Sequence, residues 1–293
     1  KIITSTPTLA LGVNLPAFRV IIRDAKRFYD GIGYSYIPVL EYKQMTGRAG
    51  RPQYDEFGEA ILVAKSEEDA DDLVNRFING DVEEISSKLA YEPILRMHAL
   101  SLIASGFVKS EESLFSFFSK TFYAFQYGDI DAIKEKLLDV VNNLVEWNFV
   151  DYNHGKLNPT RIGKRVSELY IDPLTAHNFI SALNRATSKQ LTAFSFIQTT
   201  CNTLEMRPLL SVKSGEFVDL GNLLVQRESE FLQNIPEEWD LEFDDFFKSV
   251  KTAVFFEAWM NESTEDELLT KFKIAPGELR NRLENIDWLI YAM

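Results

Sequence analysis

Hydrophobic positions change period along the chain, and the changes mark three stretches. In the first, Arg19-Val20-Ile21-Ile22-Arg23 and Glu59-Ala60-Ile61-Leu62-Val63-Ala64 are short apolar runs bounded by polar or turn residues, and each predicts a strand of an α/β unit. From Ser66 the spacing is helical, with Leu73, Val74 and Phe77 on one face until Asn79-Gly80-Asp81 interrupts it. A boundary falls near Glu84. In the second stretch Ile130, Ile133, Leu137, Val140, Leu144 and Trp147 recur at three- and four-residue steps and predict one amphipathic helix. Phe149-Val150-Asp151-Tyr152, the turn Asn153-His154-Gly155 and Lys156-Leu157-Asn158-Pro159 then read as a β-hairpin. A helix that runs into a hairpin is how a winged-helix domain ends. The third stretch is helical almost throughout, with breaks at Arg207-Pro208, Ser214-Gly215 and Ile235-Pro236. Thr264-Glu265-Asp266-Glu267 is a capping-box start, and Pro276 suits the first turn of a last helix striped by Leu279, Leu283, Ile286 and Ile290.

The expected fold class is therefore mixed, with domains at 1–84 (α/β), 85–172 (winged helix) and 173–293 (all-α, incomplete). The chain opens inside the apolar run Lys1-Ile2-Ile3 and its last helix is still periodic at Met293, so truncation at both ends is the expectation. A 45% apolar and 26% charged composition belongs to a folded chain, and no run of eighteen apolar residues predicts a membrane span. The lone cysteine, Cys201, excludes an intrachain disulfide or a four-cysteine cluster and fits a reducing cytoplasm, the expected location. His98, His154 and His177 match no zinc spacing.

A net charge of −13 excludes coating nucleic acid by bulk electrostatics, so any such contact must be local. Arg23, Lys26, Arg27, Lys43 and Arg48 cluster in one region, whereas 237–245 is strongly acidic and reads as solvated surface. The helix before the wing carries Asp131, Glu135, Asp139 and Glu146 against Lys134 and Lys136, which makes it a poor groove reader. The winged helix is accordingly expected to be a spacer that offers phosphate only Arg161, Lys164 and Arg165.

Candidate chemistry is concentrated in Gln44-Met45-Thr46-Gly47-Arg48-Ala49-Gly50-Arg51-Pro52. Two glycines allow a tight turn and two arginines three residues apart share a helical face. Such arginines can serve phosphoryl transfer, in which an arginine finger accelerates reaction by on the order of 10³ to 10⁵. A Gly/Arg-rich surface turn is the plain alternative. Upstream, beyond a strand, lies Thr4-Ser5-Thr6-Pro7-Thr8-Leu9-Ala10-Leu11-Gly12-Val13-Asn14-Leu15-Pro16-Ala17. Between the two, Lys26 to Pro38 places Asp30-Gly31 between aromatic, β-prone arms and predicts a hairpin.

Together the two segments resemble motifs V and VI of superfamily-two helicases of the Ski-like branch, in that branch's order and approximate spacing. Within it the chain is most similar to archaeal fork-acting DNA helicases, the helicase-308 group, as a piece from motif V onward. Only the first sixty residues match by sharp motif; the rest matches as architecture. The resemblance implies the remainder of a second RecA-like motor domain, a winged helix and a helical ratchet-type domain, in a monomeric ATP-driven enzyme that acts 3′-to-5′ on single-stranded and forked DNA, in repair or fork restart. It makes Arg48 and Arg51 catalytic and Gln44, Gly47, Gly12 and Asn14 nucleotide-site residues, with turn or helix capping the plain alternative for Thr8 and Asn14. It makes Thr6 a strand contact and the hairpin, with Lys26, Arg27, Phe28, Tyr29, Tyr34 and Tyr36, the wedge that splits the duplex; aromatics that only pack together are the alternative.

On the last helix it implies a base-touching aromatic and an arginine. Trp288 lies off the predicted apolar stripe and fits the first. Asn281 stands where the arginine is expected, with Arg280 and Arg282 on either side. Packing against a neighbouring helix is the other reading of Trp288. No phosphate loop and no Asp-Glu-x-His magnesium motif occurs in the chain. In the family these lie on the first RecA-like domain, so ATP and Mg²⁺ are implied for the parent protein and no hydrolysis is expected of the chain alone. An RNA helicase of the same branch and a non-catalytic scaffold are the competing readings.

Overall fold

The short apolar runs within Arg19–Ile22 and Glu59–Leu62 form two short strands, β1 and β4, which pair in parallel with Arg19 opposite Glu59 and Ile22 opposite Leu62. The computed structural model describes residues 2–7, 16–29, 33–51, 54–189, 191–274 and 276–293. Two compact units emerge, Lys1–Ser86 and Ser87–Met293. In the first, β2 (Lys26–Tyr29) and β3 (Gly33–Tyr36) form an antiparallel hairpin, followed by α1 (Val39–Thr46), β4 and α2 (Glu67–Leu73). The Asp30-Gly31 turn predicted for that hairpin lies outside the described residues. Ile22, Ala25, Ile37, Val39, Tyr42, Met45, Leu73 and Phe77 make a small core. Leu73 and Phe77 are buried as their spacing predicts, but Val74 is exposed. Val74 opens a wider π-helical turn, Val74–Ile78, within which Phe77 keeps the core-facing position.

Pro38 leaves α1 without a side-chain cap of its own. Its first amides are satisfied from a distance: Val39 and Leu40 donate to the Glu83 carboxylate at 2.6 and 3.0 Å. These amide donors hold the Glu83 carboxyl below the usual carboxylate range.

The second unit is mostly helical. α3 (Glu92–Ala104), α4 (Glu111–Phe118), α5 (Phe122–Tyr127) and α6 (Ile130–Glu146) lead to the hairpin β5 (Val150–Asn153) and β6 (Lys156–Pro159), whose turn places His154 and Gly155 at positive φ. The predicted α6 stripe is found except at its start: Ile130 is exposed, Ile133, Leu137, Val140 and Leu144 are buried, and Trp147 stacks on His177 with ring centroids 5.2 Å apart. α7 (Arg161–Leu169) crosses β5's start so closely that a Cβ on Gly163 would stand 1.9 Å from the Phe149 carbonyl oxygen, so only glycine fits there. α8 (Pro173–Ala186), α9 (Ala193–Cys201), α10 (Phe217–Gln226), α11 (Phe243–Met260), α12 (Glu265–Phe272) and α13 (Pro276–Ala292) complete the chain.

A buried ion pair joins the start of α8 to α3. Arg96 donates through Nε and Nη2 to the two oxygens of Asp172 at 2.8 and 2.7 Å, and Asp172 also caps the first turn of α8. The two side chains are 4% and 7% exposed, so neither charge has water as an alternative partner. α9 is enclosed along most of its length, including Ser195, Gln198, Thr199 and Thr200. Its polar groups are satisfied internally: Gln198 donates to Ser249 at 3.1 Å and accepts from Gln233 at 3.2 Å. Burial pushes the Cys201 thiol up, which leaves it unreactive.

On α13 the predicted stripe is rotated. Leu289 and Ile286 are buried while Ile290 is exposed, and Arg282 lies on the buried side with its guanidinium on Glu278 and the Pro208 carbonyl. The helix packs on α9 and on a 3₁₀ turn at Leu204–Met206, and it also reaches α7, so more than one face is covered. Among the described residues no helix is long and apolar enough to cross a membrane.

Candidate nucleotide and nucleic-acid sites

The two motif segments of the first unit meet through their backbones. Ala17 forms an isolated parallel bridge with Ala49: its N–H donates to the Arg48 carbonyl at 3.0 Å and its carbonyl accepts from Gly50 at 2.8 Å. Phe18 in turn accepts from Glu59, so the end of the upstream segment lies between the Gly/Arg segment and β4. Gly50 has φ +91°, and a Cβ on Gly58 would stand 2.2 Å from the Gly50 nitrogen. The chain from Gly50 to Gly58 is thus closed on itself by backbone approach at both ends.

That closure brings Asp55 onto Arg51. Arg51 Nε and Nη2 donate to the two Asp55 oxygens at 2.7 and 2.8 Å, and the Arg51 amide donates to the same carboxylate at 3.0 Å. The Arg51 guanidinium holds the Asp55 carboxyl below its usual range. One edge of the guanidinium is taken, while Nη1 carries no bond among the described residues and the side chain is about half exposed, at 48%. Gln44, on the last turn of α1, and Gly47 just past it are exposed, and Arg48 is half-buried. Sequence reasoning missed Asp55, although its i,i+4 spacing from Arg51 was a usable signal. It also missed Glu83, forty-four residues from its partner Val39, for which no local signal exists.

Thr6 is exposed in an irregular segment, and Gly12 and Asn14 lie outside the described residues. In the hairpin, Lys26 stands opposite Tyr36, Arg27 opposite Ser35, Phe28 opposite Tyr34 and Tyr29 opposite Gly33. The face shared by Lys26, Phe28, Tyr34 and Tyr36 divides in two. Near the core, Tyr36 packs edge-on against Phe77 and lies beneath both Lys26 and Arg76, 4.4 and 4.7 Å from its centroid. Farther out, Phe28 and Tyr34 touch edge to face at 5.5 Å yet remain 60% and 78% exposed. Arg27 pairs with Glu41 of α1. The aromatic arms therefore do both things: one ring anchors the hairpin and two stand open to solvent.

In the second unit Arg280 is exposed and paired with Glu284 at 3.1 Å. Trp288, expected off the core face, is half-buried against the main core and donates its indole N–H to the Leu169 carbonyl at 3.1 Å. Leu169 ends α7, so the indole satisfies one of the open carbonyls of that helix's last turn. Among the described residues no group of three or more His, Cys, Asp or Glu is disposed to hold a metal ion.

Known proteins resemble this chain along its whole length. The family described as "Archaeal helicase, domain 4" matches residues 194–293, and a helix-turn-helix domain family matches 58–151. The ATP-dependent DNA helicase Hel308 of Methanocella arvoryzae is 42% identical over 100% of the chain, which spans 40% of that protein. The protein of the same name from Thermococcus kodakarensis is 41% identical over 96% of the chain and 25% of its own length, and that of Pyrobaculum calidifontis 36% over 99% and 39%. The chain is thus similar to Hel308 helicases along its whole length. It spans about 40% or less of the Hel308 relatives it matches. The domain 4 match covers α9 to α13, while the helix-turn-helix match ends at β5 and includes α4, α5 and α6.

Proposed function

We propose that the chain is the rear portion of an ATP-dependent DNA helicase motor that unwinds duplex or forked DNA 3′-to-5′. On this reading 1–84 complete a second RecA-like domain, 85–172 form a winged helix that acts as a spacer, and 173–293 form the helical domain around the strand. The parallel β1 and β4 pair, the helix–hairpin succession from α6 to β6 and the similarity to Hel308 helicases support this division.

The observation that carries the reading is Arg51. Its guanidinium is oriented through one edge by Asp55, and among the described residues Nη1 carries no bond, which suits it to a phosphate oxygen. Bound ATP supplies the γ-phosphate that is transferred to water. Gln44, Gly47, Arg48 and Arg51 approach it from this side, while the phosphate loop and the ligands for Mg²⁺ belong to a first RecA-like domain outside this chain. The backbone bridge between Ala17 and Ala49 ties the strand-side segment, with Thr6, Gly12 and Asn14, to the nucleotide-side segment. Rearrangement at the γ-phosphate is thereby felt at the strand. The protein acts as a monomer in the cytoplasm.

In the full-length helicase Arg51→Ala lowers kcat of DNA-stimulated ATP hydrolysis by on the order of 10³-fold, with a much smaller change in KM, because an arginine finger acts on the transition state. Steady-state kinetics check this. Turnover of the variant within a few-fold of the unsubstituted enzyme removes Arg51 from the site.

A further inference from the structure

Arg51 and Asp55 hold each other through backbone and side chain at once. The Arg51 carbonyl accepts from the amides of Tyr54 and Asp55, both at 3.0 Å, while the Arg51 amide and two of its guanidinium nitrogens donate to the Asp55 carboxylate. The Asp55 side chain is 9% exposed against 48% for Arg51, so the carboxylate is largely covered and the guanidinium is presented. An ordinary surface ion pair leaves both partners in water.

The edge of the guanidinium that Asp55 holds decides what is left. Arginine carries five N–H donors in a fixed planar fork, one on Nε and two on each Nη. With one from Nε and one from Nη2 spent on Asp55, both hydrogens of Nη1 and the second of Nη2 have no bond among the described residues. That end of the group can take two phosphate oxygens at once. The carboxylate itself has a fixed support. Gly50 is bonded to the Ala17 carbonyl, Gly58 lies against Gly50, the Glu59 amide donates to the Phe18 carbonyl at 2.9 Å, and Phe57 meets Phe18 edge-on with ring centroids 5.6 Å apart. Both ends of the stretch that carries Asp55 are therefore pinned to Ala17 and Phe18.

We propose that Asp55 is a positioning residue for ATP hydrolysis: its carboxylate holds the Arg51 guanidinium by the side, so that the free end meets the γ-phosphate oxygens in the transition state already ordered. This rests on the reading that Arg51 serves ATP hydrolysis, and it adds a residue that touches neither the nucleotide nor the attacking water. A free arginine spreads over many rotamers, and only the fraction in the productive one contributes to the rate. A carboxylate seated beforehand removes that loss. Asp55 gives and takes no proton; it acts by geometry through Arg51 alone.

The test is steady-state ATP hydrolysis by the full-length helicase with saturating oligothymidylate, on single variants of both residues and on the double variant Arg51→Ala, Asp55→Asn. Asp55→Asn keeps the size of the side chain but turns one acceptor into a donor that faces Arg51. Its kcat falls on the order of 10- to 100-fold, while KM for ATP changes less than about threefold. Asp55→Glu, which keeps the carboxylate, recovers part of the loss. In the Arg51→Ala background Asp55→Asn has no further effect, because a residue that acts through Arg51 has nothing left to position. A purely structural Asp55 would instead lower kcat again in the double variant, in step with the melting temperature, and that result overturns the inference. Faster hydrolysis by Asp55→Asn without DNA also overturns it, since Asp55 would then hold Arg51 away from the nucleotide. Where the Asp55 variants fail to fold, Arg51→Lys at its exposed position decides. Lysine keeps the charge but has no fork to be oriented, so its kcat lies within about fivefold of Arg51→Ala, and a rate near that of the unsubstituted enzyme overturns the inference. A slow Arg51→Ala with an unchanged Asp55→Asn overturns the inference alone. An unchanged Arg51→Ala overturns the reading of Arg51 and the inference together.

Discussion

The two units keep their functional side chains in place by different means. In Lys1–Ser86 the core is a small cluster from Ile22 to Phe77, and Arg51, Arg27 and the start of α1 are held by carboxylates, Asp55, Glu41 and Glu83. In Ser87–Met293 the core runs without interruption from Leu95 to Leu289, and the side chains that face solvent stand on helices fixed by packing. Charge-assisted bonds at the surface exchange readily for water, salt or a phosphate, whereas a packed core has one arrangement. The first unit thus holds its arginines by bonds that can exchange, and the second holds its helices by packing.

The largest effect is expected at the hairpin, whose open rings Phe28 and Tyr34 lie on the first unit. Replacing Phe28 to Tyr36 by a short Gly-containing turn in the full-length helicase abolishes unwinding of a forked duplex and preserves DNA-stimulated ATP hydrolysis, as read from strand displacement and phosphate release. Stacking on one ring is worth about 1–3 kcal/mol, against about 1.4 kcal/mol for one DNA stacking step, so Phe28 and Tyr34 can offset the opening of a pair. Unwinding at the normal rate would reduce the segment to a surface hairpin.

In the second unit the corresponding experiment concerns stability. Arg96→Ala leaves Asp172 charged and enclosed, and destabilises the unit by about 3–5 kcal/mol in urea denaturation. The double change Arg96→Met, Asp172→Leu recovers most of that loss. If the single and double variants are equally unstable, the pair contributes by shape and not by charge.

The smallest effect is expected at Trp288. Trp288→Phe removes the indole bond to Leu169 and costs about 1 kcal/mol, read from thermal or urea denaturation. A variant with the parent's melting curve and no strand binding would return Trp288 to the role of base contact.

Regular elements were legible wherever one period governed a segment. α6, the hairpin that follows it, β1, β4 and the capping box at Thr264 stand where the pattern places them. The pattern failed where a helix has more than one covered face: on α13 both Leu289 and Trp288 are occupied, and a single stripe through Ile290 could not express that. It failed also at Val74, where a π turn changed the period. Gln44, Arg48, Arg51 and the hairpin aromatics each lie in one short segment, which is why sequence alone can single them out as candidates. Asp55 was within reach of a local rule, but the pairing of Arg165 with Tyr291 joins positions 126 residues apart and depends on how α13 settles beside α7.

Glu83 lies in the irregular segment that leads out of the first unit, a few residues before Ser87. Along the chain that segment is far from Arg51, with β4 and α2 between. Through the two hydrogen bonds to Val39 and Leu40 the distance collapses to a single short helix, at whose far end stand Gly47 and Arg48. The start of that helix is therefore tied directly to the segment that leads out of the unit. The coupling pin is a carboxylate whose pKa is lowered by these bonds, so it is fully engaged above the ordinary carboxylate range and slips as pH falls through that lowered value.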